Sequence, residues 1–86
     1  MTCDVRWDVR VPEGLRGLPP EERRQVVAAI LSLADEPVPA GARPLGEPPG
    51  PFRLVLGRFW IVYVFDPRSN AVIVYQVLKD GQLLNA

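Results

Sequence analysis

The sequence predicts one α+β domain, in which an N-terminal strand, one short helix and one long helix accompany a twisted, mainly antiparallel sheet. Three features predict this class. Residues 5–11 alternate apolar with charged side chains, residues 19–36 carry an apolar stripe at helical spacing, and residues 52–78 hold two runs rich in β-branched and aromatic residues. The chain has 86 residues, enough for one layer of helix on one sheet. We therefore assign residues 1–86 to a single domain.

The last of these stretches, FRLVLGRFWIVYVFDPRSNAVIVYQVL, predicts a C-terminal β-meander of three strands. Gly57 and Arg58 suit a two-residue hairpin turn, because glycine takes the positive φ of a type II′ turn without steric cost. That turn sets the register of the first two strands. The expected opposite pairs are Leu56 with Phe59, Val55 with Trp60, Leu54 with Ile61, Arg53 with Val62 and Phe52 with Tyr63.

Neither face of this meander alternates apolar with polar residues, so we expect both faces to be covered. One cover is the long helix. The shared core should consist of Phe52, Leu54, Ile61, Tyr63, Val26, Ile30 and Leu33. The other face has no second helix to cover it, and a contiguous apolar patch of this kind marks an interface. We expect a protein partner, or a second copy of the chain in a homodimer, to bind Val55, Trp60, Val62, Val64 and Val74.

The N-terminal part of the chain predicts two short elements. The segment VRWDVRV at residues 5–11 is typical of an edge strand with one buried and one charged face. Pro12 ends this strand, because proline has no backbone N–H to donate. Residues 12–18 predict one short helical turn, which Leu15 and Leu18 would anchor to the core.

The long helix begins where two prolines and two glutamates, at residues 19–22, suit a first helical turn. We expect it to end near Glu36. Residues 37–51 are rich in proline and glycine, which indicates an irregular connector with Leu45 as its apolar anchor. Residues 83–84 would either add a last short strand or pack loosely. The apolar stripe of the helix consists of Val26, Val27, Ile30, Leu31, Leu33 and Ala34.

The composition excludes several kinds of chemistry. The chain has no histidine and a single cysteine, Cys3, so imidazole bases, the usual zinc ligands and a disulfide framework are absent, and we expect no cofactor and no metal. Its formal net charge is +0, so bulk charge does not hold it to nucleic acid. The first residues, MTCDVRWDVR, offer no signal-peptide core, and no apolar run is long enough to span a bilayer. We expect a soluble cytoplasmic protein without membrane contact.

Three segments together resemble the RelE/ParE toxin superfamily: LPPEERRQVVAAILSLADEP, RPLGEPPGPFRLVLGRFWIVYVFD and AVIVYQV. The resemblance covers nearly the whole chain and implies a RelE-like fold. It also implies a toxin of a bacterial type II toxin–antitoxin system, which a cognate antitoxin neutralises. Toxins of this superfamily either cleave messenger RNA in the ribosome or inhibit DNA gyrase.

The cleaving branch uses cationic residues on the sheet face away from the helices, together with groups of the last strand. Such cations stabilise the charge that develops when a ribose 2′-hydroxyl attacks a phosphate. By resemblance, Arg53 matches a basic position of that face and Lys79 is what remains of the last-strand cluster, whereas Val55 and Trp60 occupy positions where the family has cations. Arg58 is a stand-in for the missing strand arginine. The alternatives are that Arg58 is only solvated and that Arg53 covers Trp60 in a cation–π contact.

These observations favour a toxin-like component of a toxin–antitoxin system, which acts by binding a cognate antitoxin and has a degraded ribonuclease site. One alternative is an active, metal-independent endoribonuclease that cleaves messenger RNA in the ribosome, with Arg53, Arg58 and Lys79 as catalytic residues. A second alternative is a toxin that inhibits DNA gyrase, which needs none of these residues.

Overall fold

Six strands and two helices form the part of the chain that this computed structural model describes, residues 2–47 and 50–84. The predicted α+β class is confirmed, with a short and a long helix and a C-terminal meander. In chain order the elements are β1 (Asp4–Trp7), α1 (Arg10–Leu15), α2 (Pro20–Ser32), β2 (Ala42–Pro44), β3 (Phe52–Leu56), β4 (Phe59–Asp66), β5 (Ala71–Lys79) and β6 (Gln82–Leu83).

The strands form one sheet in the order β1-β5-β4-β3-β2, with β6 paired to the end of β5. Only the β1–β5 pair is parallel among the pairs of the described residues. The register of β3 and β4 is the predicted one, with Leu54 opposite Ile61 and Val55 opposite Trp60. Gly57 turns this hairpin with a φ of 57°, a region that glycine enters without steric cost.

Both helices pack on one face of the sheet, which we call the core face. Tyr63 lies at its centre, where its ring stacks on Phe52 with 5.6 Å between the ring centroids. Its hydroxyl donates a hydrogen bond of 2.6 Å to the carbonyl of Pro37 and so ties the segment after α2 to the sheet. The predicted core is confirmed, with Phe52 only partly buried at its margin. Its buried members are Val26, Ile30, Leu33, Leu54, Ile61 and Tyr63.

The first strand is shorter than the alternating pattern predicts. It ends at Trp7, and the chain turns into α1 because the Asp8 carboxylate accepts a 2.9 Å hydrogen bond from the backbone N–H of Arg10. Aspartate commonly competes in this way with a strand ladder. Val9 is consequently 69% exposed, and Val11 is buried as part of the helix and not of a strand. The anchoring role of Leu15 and Leu18 is confirmed, since both are buried.

The long helix ends at Ser32, before the predicted end near Glu36. Ser32 donates its hydroxyl to the carbonyl of Ala29 at 2.6 Å, and the following residues form turns. With 13 residues α2 is the longer of the two helices. Among the described residues there is no helix with the length and apolarity that a bilayer crossing requires.

The connector after α2 contains a strand that the sequence pattern does not reveal. β2 pairs antiparallel with β3 and forms the edge of the sheet. Its Ala42 is buried in the core, whereas Leu45, the expected anchor, is 39% exposed. Pro48 and Pro49 of this connector lie outside the described residues.

The expectation that Val74 faces away from the helices is wrong. The pairing of β4 with β5 shifts between Val62 and Tyr63, so that Val62 lies opposite Gln76 and Tyr63 lies opposite Val74. Tyr75 is the extra residue of this β-bulge. The bulge brings Val74 to the core face, where it is 0% exposed. Side chains do not alternate strictly between the two faces across a bulge, so Val74 shares the face of Tyr63.

The bulge predicts different costs for two valine truncations. Val74→Ala removes two buried methyl groups and should lower the free energy of unfolding by about 2 kcal/mol. Val55→Ala, at an exposed position of β3, should change it by less than about 0.5 kcal/mol. Urea unfolding followed by circular dichroism measures both values. Equal costs for the two variants would contradict the bulged register.

Tyr63 predicts a loss of stability at alkaline pH. Burial raises the pKa of Tyr63 to about 12, from an ordinary value of 10.0. The folded protein therefore holds this proton more tightly than the unfolded chain, and the stabilisation is complete below pH 10 and lost as the pH rises toward about 12. Urea unfolding across this range should show a steeper fall for the natural protein than for Tyr63→Phe. Identical pH profiles for the two proteins would show that Tyr63 is not the group responsible.

Candidate partner-binding face

The sheet face opposite the helices, which we call the open face, is largely apolar. Val55 and Trp60 are 44% and 37% exposed, and the adjoining valines of β4 are half-buried. Residues of β5 complete the surface, because they lie directly opposite the outward residues of β4. Its apolar members are Val55, Trp60, Val62, Val64, Ile73 and Leu78. Val74, as described above, is not among them.

Arg53 lies among these apolar residues with its guanidinium stacked on an indole. The guanidinium carbon is 4.3 Å from the ring centroid of Trp60, its diagonal neighbour across the β3–β4 pair. Nε of Arg53 is shielded from solvent and has no hydrogen-bond partner within the described residues. The observed geometry is therefore the cation–π arrangement, in which the arginine stem also covers apolar surface.

Arg43 is a second cation of this face, and the sequence pattern does not reveal it. It lies on β2 directly opposite Arg53, so the two side chains share the open face. One guanidinium nitrogen of Arg43 donates to the carbonyls of Ala40 and Ala42, at 3.1 and 3.3 Å. A strand of three residues in a segment rich in proline is too short for periodicity to reveal it. Only the pairing of β2 with β3 relates Arg43 to the site.

Arg58 lies at the tip of the β3–β4 hairpin, where it binds an aspartate of the next turn. Its Nε and one terminal nitrogen lie 3.1 and 2.5 Å from the two carboxylate oxygens of Asp80. The backbone N–H of Asp80 donates to the carbonyl of Arg58 at 2.9 Å. The hydrogen bond from Arg58 lowers the pKa of the Asp80 carboxyl, and the same bond raises the pKa of Arg58. Arg58 is thus engaged in joining two turns.

Lys79 faces the helices. It lies opposite Phe59, a core residue, and its Nζ is 5.7 Å from the Phe59 ring centroid. The same nitrogen lies 3.1 and 3.2 Å from the two carboxylate oxygens of Glu22 in the first turn of α2. The sheet itself therefore separates Lys79 from Arg53.

The described residues offer little for a small ligand. They contain no group of three histidine, cysteine, aspartate or glutamate side chains that would hold a metal ion. An open groove of about 360 Å³ lies beside the β3–β4 turn, but its two charged residues are already bound, Glu22 to Lys79 and Arg58 to Asp80. The remaining lining residues are Gln25, Leu56, Gly57 and Phe59.

Known structures share this architecture. The chain is similar to a chain of the archaeal RelE–RelB complex from Pyrococcus horikoshii OT3, with 22% identity, a TM-score of 0.84 and coverage of 94% of this chain and 98% of that one. It is also similar to a chain of the Mycobacterium tuberculosis toxin–antitoxin complex RelBE2, with 23% identity, a TM-score of 0.79 and coverage of 92% of this chain and 99% of that one. The isolated Escherichia coli RelE toxin has 20% identity to this chain and a TM-score of 0.74, with coverage of 90% of this chain and 83% of that one.

The chain has the RelE toxin fold. The resemblance inferred from the helix and the meander is thus confirmed in the fold. No protein-family model and no curated protein sequence matches the chain.

Within this RelE fold, the three candidate catalytic residues do not form a cluster. Arg53 lies on the open face, Arg58 at the hairpin tip and Lys79 on the core face. Two of them already bind carboxylates, those of Asp80 and Glu22. What the open face does bring together is Trp60 with two arginines, one of them unforeseen.

The Arg58–Asp80 contact predicts a shift in one carboxyl titration. In Arg58→Gln the pKa of Asp80 should rise toward its ordinary value, because the largest cause of its lowering is the hydrogen bond from Arg58. The control is Asp66, whose pKa is lowered chiefly by a hydrogen bond from Ser69 and should not move. Carboxyl carbon chemical shifts followed by NMR during an acid titration measure both groups. An unchanged Asp80 titration in the variant would show that Arg58 is free in solution.

Proposed function

We propose that the protein is the toxin-like component of a bacterial toxin–antitoxin system, and that it binds a cognate antitoxin through the open face of its sheet. The fold supports the first part, because the similar structures are RelE toxins and toxin–antitoxin complexes. The observation that carries the second part is the apolar open face with Trp60 exposed at its centre. The proposal places the protein in the cytoplasm.

The open face has the composition of a protein interface. Interface cores are enriched in aromatic residues and arginine and are depleted of lysine and of carboxylates. Trp60 and Arg53 match that composition, and Val55 and Val62 extend the apolar surface around them. A tryptophan at the centre of such a patch is the kind of residue that dominates binding energy.

We further propose that the ribonuclease site is degraded. RNA cleavage needs cations placed around the developing charge, and each donor that is removed costs on the order of 10²–10³ in rate. Arg58 and Lys79 each bind a carboxylate, that of Asp80 and that of Glu22, and Arg53 lies apart from them on the open face, stacked on Trp60. A formal net charge of +0 adds no general attraction to a polyanion.

The test of partner binding uses the product of the neighbouring gene as the candidate antitoxin. Trp60→Ala should weaken its binding about 30-fold or more, because a central tryptophan of an interface contributes about 2 kcal/mol or more. The matched control is Leu31→Ala, which truncates an exposed apolar residue on α2, in the layer that covers the core face. Calorimetric titration gives the dissociation constants. In a Trp7→Phe background, Trp60 fluorescence should also shift when the antitoxin binds.

Three outcomes would contradict the proposal. Equal affinities for Trp60→Ala and the natural protein would move the interface away from the open face. Codon-phased cleavage of messenger RNA on expression in bacteria, lost in Arg53→Ala or Arg58→Ala, would instead support the endoribonuclease. Growth arrest without cleavage, with trapped gyrase–DNA complexes, would support the gyrase-directed toxin. Light scattering of the free natural protein and of Trp60→Ala distinguishes a homodimer from a monomer.

A further inference from the structure

Two arginines lie directly opposite each other at the edge of the open face. Arg43 on β2 pairs with Arg53 on β3, so their Cβ atoms are only about 5 Å apart. Like charges in this arrangement destabilise a sheet. Neither arginine forms an ion pair within the described residues, whereas Arg58, at the tip of the next hairpin, does. Within the described part of the chain, these two neighbouring positive charges therefore have no counter-charge.

Both guanidinium groups are held in place by contacts that leave their charge uncompensated. Arg53 rests on the indole of Trp60 at 4.3 Å, and Arg43 is tied to the backbone carbonyls of Ala40 and Ala42. A guanidinium presents its donors in a rigid fork that matches a carboxylate in two parallel hydrogen bonds. Because these groups are already ordered, a bound acid would lose little affinity to the ordering of side chains.

We propose that Arg43 and Arg53 together bind a carboxylate of the partner protein, an aspartate or glutamate flanked by apolar side chains that pack on Trp60 and Val55. This inference rests on the proposed function and specifies the chemistry of the antitoxin segment that covers the open face. The partner's carboxylate removes the repulsion between the two arginines when it binds. An apolar neighbour along its backbone covers the indole edge and the valines.

The surroundings favour a protein carboxylate over an RNA phosphate. A nucleobase that stacks on Trp60 would have to share the indole with the guanidinium of Arg53, which already lies over the ring. Among the described residues, the face carries one further cation on β1, Arg6, which lies opposite Ile73 and pairs with Asp4 at 3.5 Å. The open face therefore offers no continuous line of unpaired cations that could follow a phosphate backbone. An acidic peptide with alternating apolar residues satisfies both the arginine pair and the valines.

The experiment titrates the product of the neighbouring gene, as the candidate antitoxin, into four proteins: the natural one, Arg43→Gln, Arg53→Gln and the double variant. Each single change should weaken binding about tenfold. Raising the salt concentration from about 50 to about 500 mM should weaken binding to the natural protein more than to the double variant, because salt screens the ion pair. Arg24→Gln, which removes the same charge from an exposed position of α2, should match the natural protein. In the antitoxin, changing the aspartate or glutamate that binds the two arginines to its amide should make the natural protein and the arginine variants bind with equal affinity.

The results separate three hypotheses: the carboxylate site, the proposed function without that site, and a phosphate site. If Trp60→Ala weakens antitoxin binding but the arginine variants do not, the carboxylate site is refuted and the proposed function stands. If the natural protein does not bind the antitoxin, the carboxylate site and the proposed function are both refuted. If a single-stranded RNA of about 12 nucleotides loses affinity in the arginine variants while the antitoxin does not, the pair binds phosphate and the inference is overturned. Circular dichroism confirms folding, and Arg43→Gln, which does not touch Trp60, keeps the test valid if Arg53→Gln unfolds.

Discussion

The turn at Gly57 and Arg58 fixes the register between β3 and β4, and the rest of the structure depends on that register. A slip of one residue would carry every side chain of β3 to the other face. In the observed register Leu54 and Ile61 reach the helices while Trp60 faces outward. The conformation of Gly57, with a φ of 57°, is open to glycine at no steric cost. One backbone position thus sets the division between a core face and an open face.

The bulge at Tyr75 is the second constraint, because it changes the parity of the central strand. β5 pairs with β4 on one side and with β1 and β6 on the other. Without the bulge, a strand that buries Val74 would turn Lys79 toward the open face, whereas the observed pairing places Lys79 opposite Phe59 and beside Glu22. The same irregularity therefore buries Val74 in the core and keeps Lys79 away from the open face.

The sequence predicts those parts of the fold that short-range chemistry determines. The β3–β4 register follows from a two-residue turn, and the face of α2 follows from helical spacing, so their shared core was predictable. The sequence did not predict the bulge or the strand β2. It also did not predict the carboxylate partners of Arg58 and Lys79. These depend on contacts between distant positions: Arg58 and Asp80 are 22 residues apart, and Lys79 and Glu22 are 57 apart. Arg43 joins the site only through a strand pairing of three residues.

The distribution of ion pairs matters more for recognition than for stability. Exposed pairs such as Arg58–Asp80 contribute little to folding, but they remove cations from the set that can meet a ligand. Salt-dependent binding to nucleic acid scales with the number of phosphates that a surface neutralises, and two arginines among valines neutralise few. Two ordered arginines beside an exposed tryptophan suit a single carboxylate in an apolar setting. The polar and apolar features of the open face therefore both favour the proposed protein ligand.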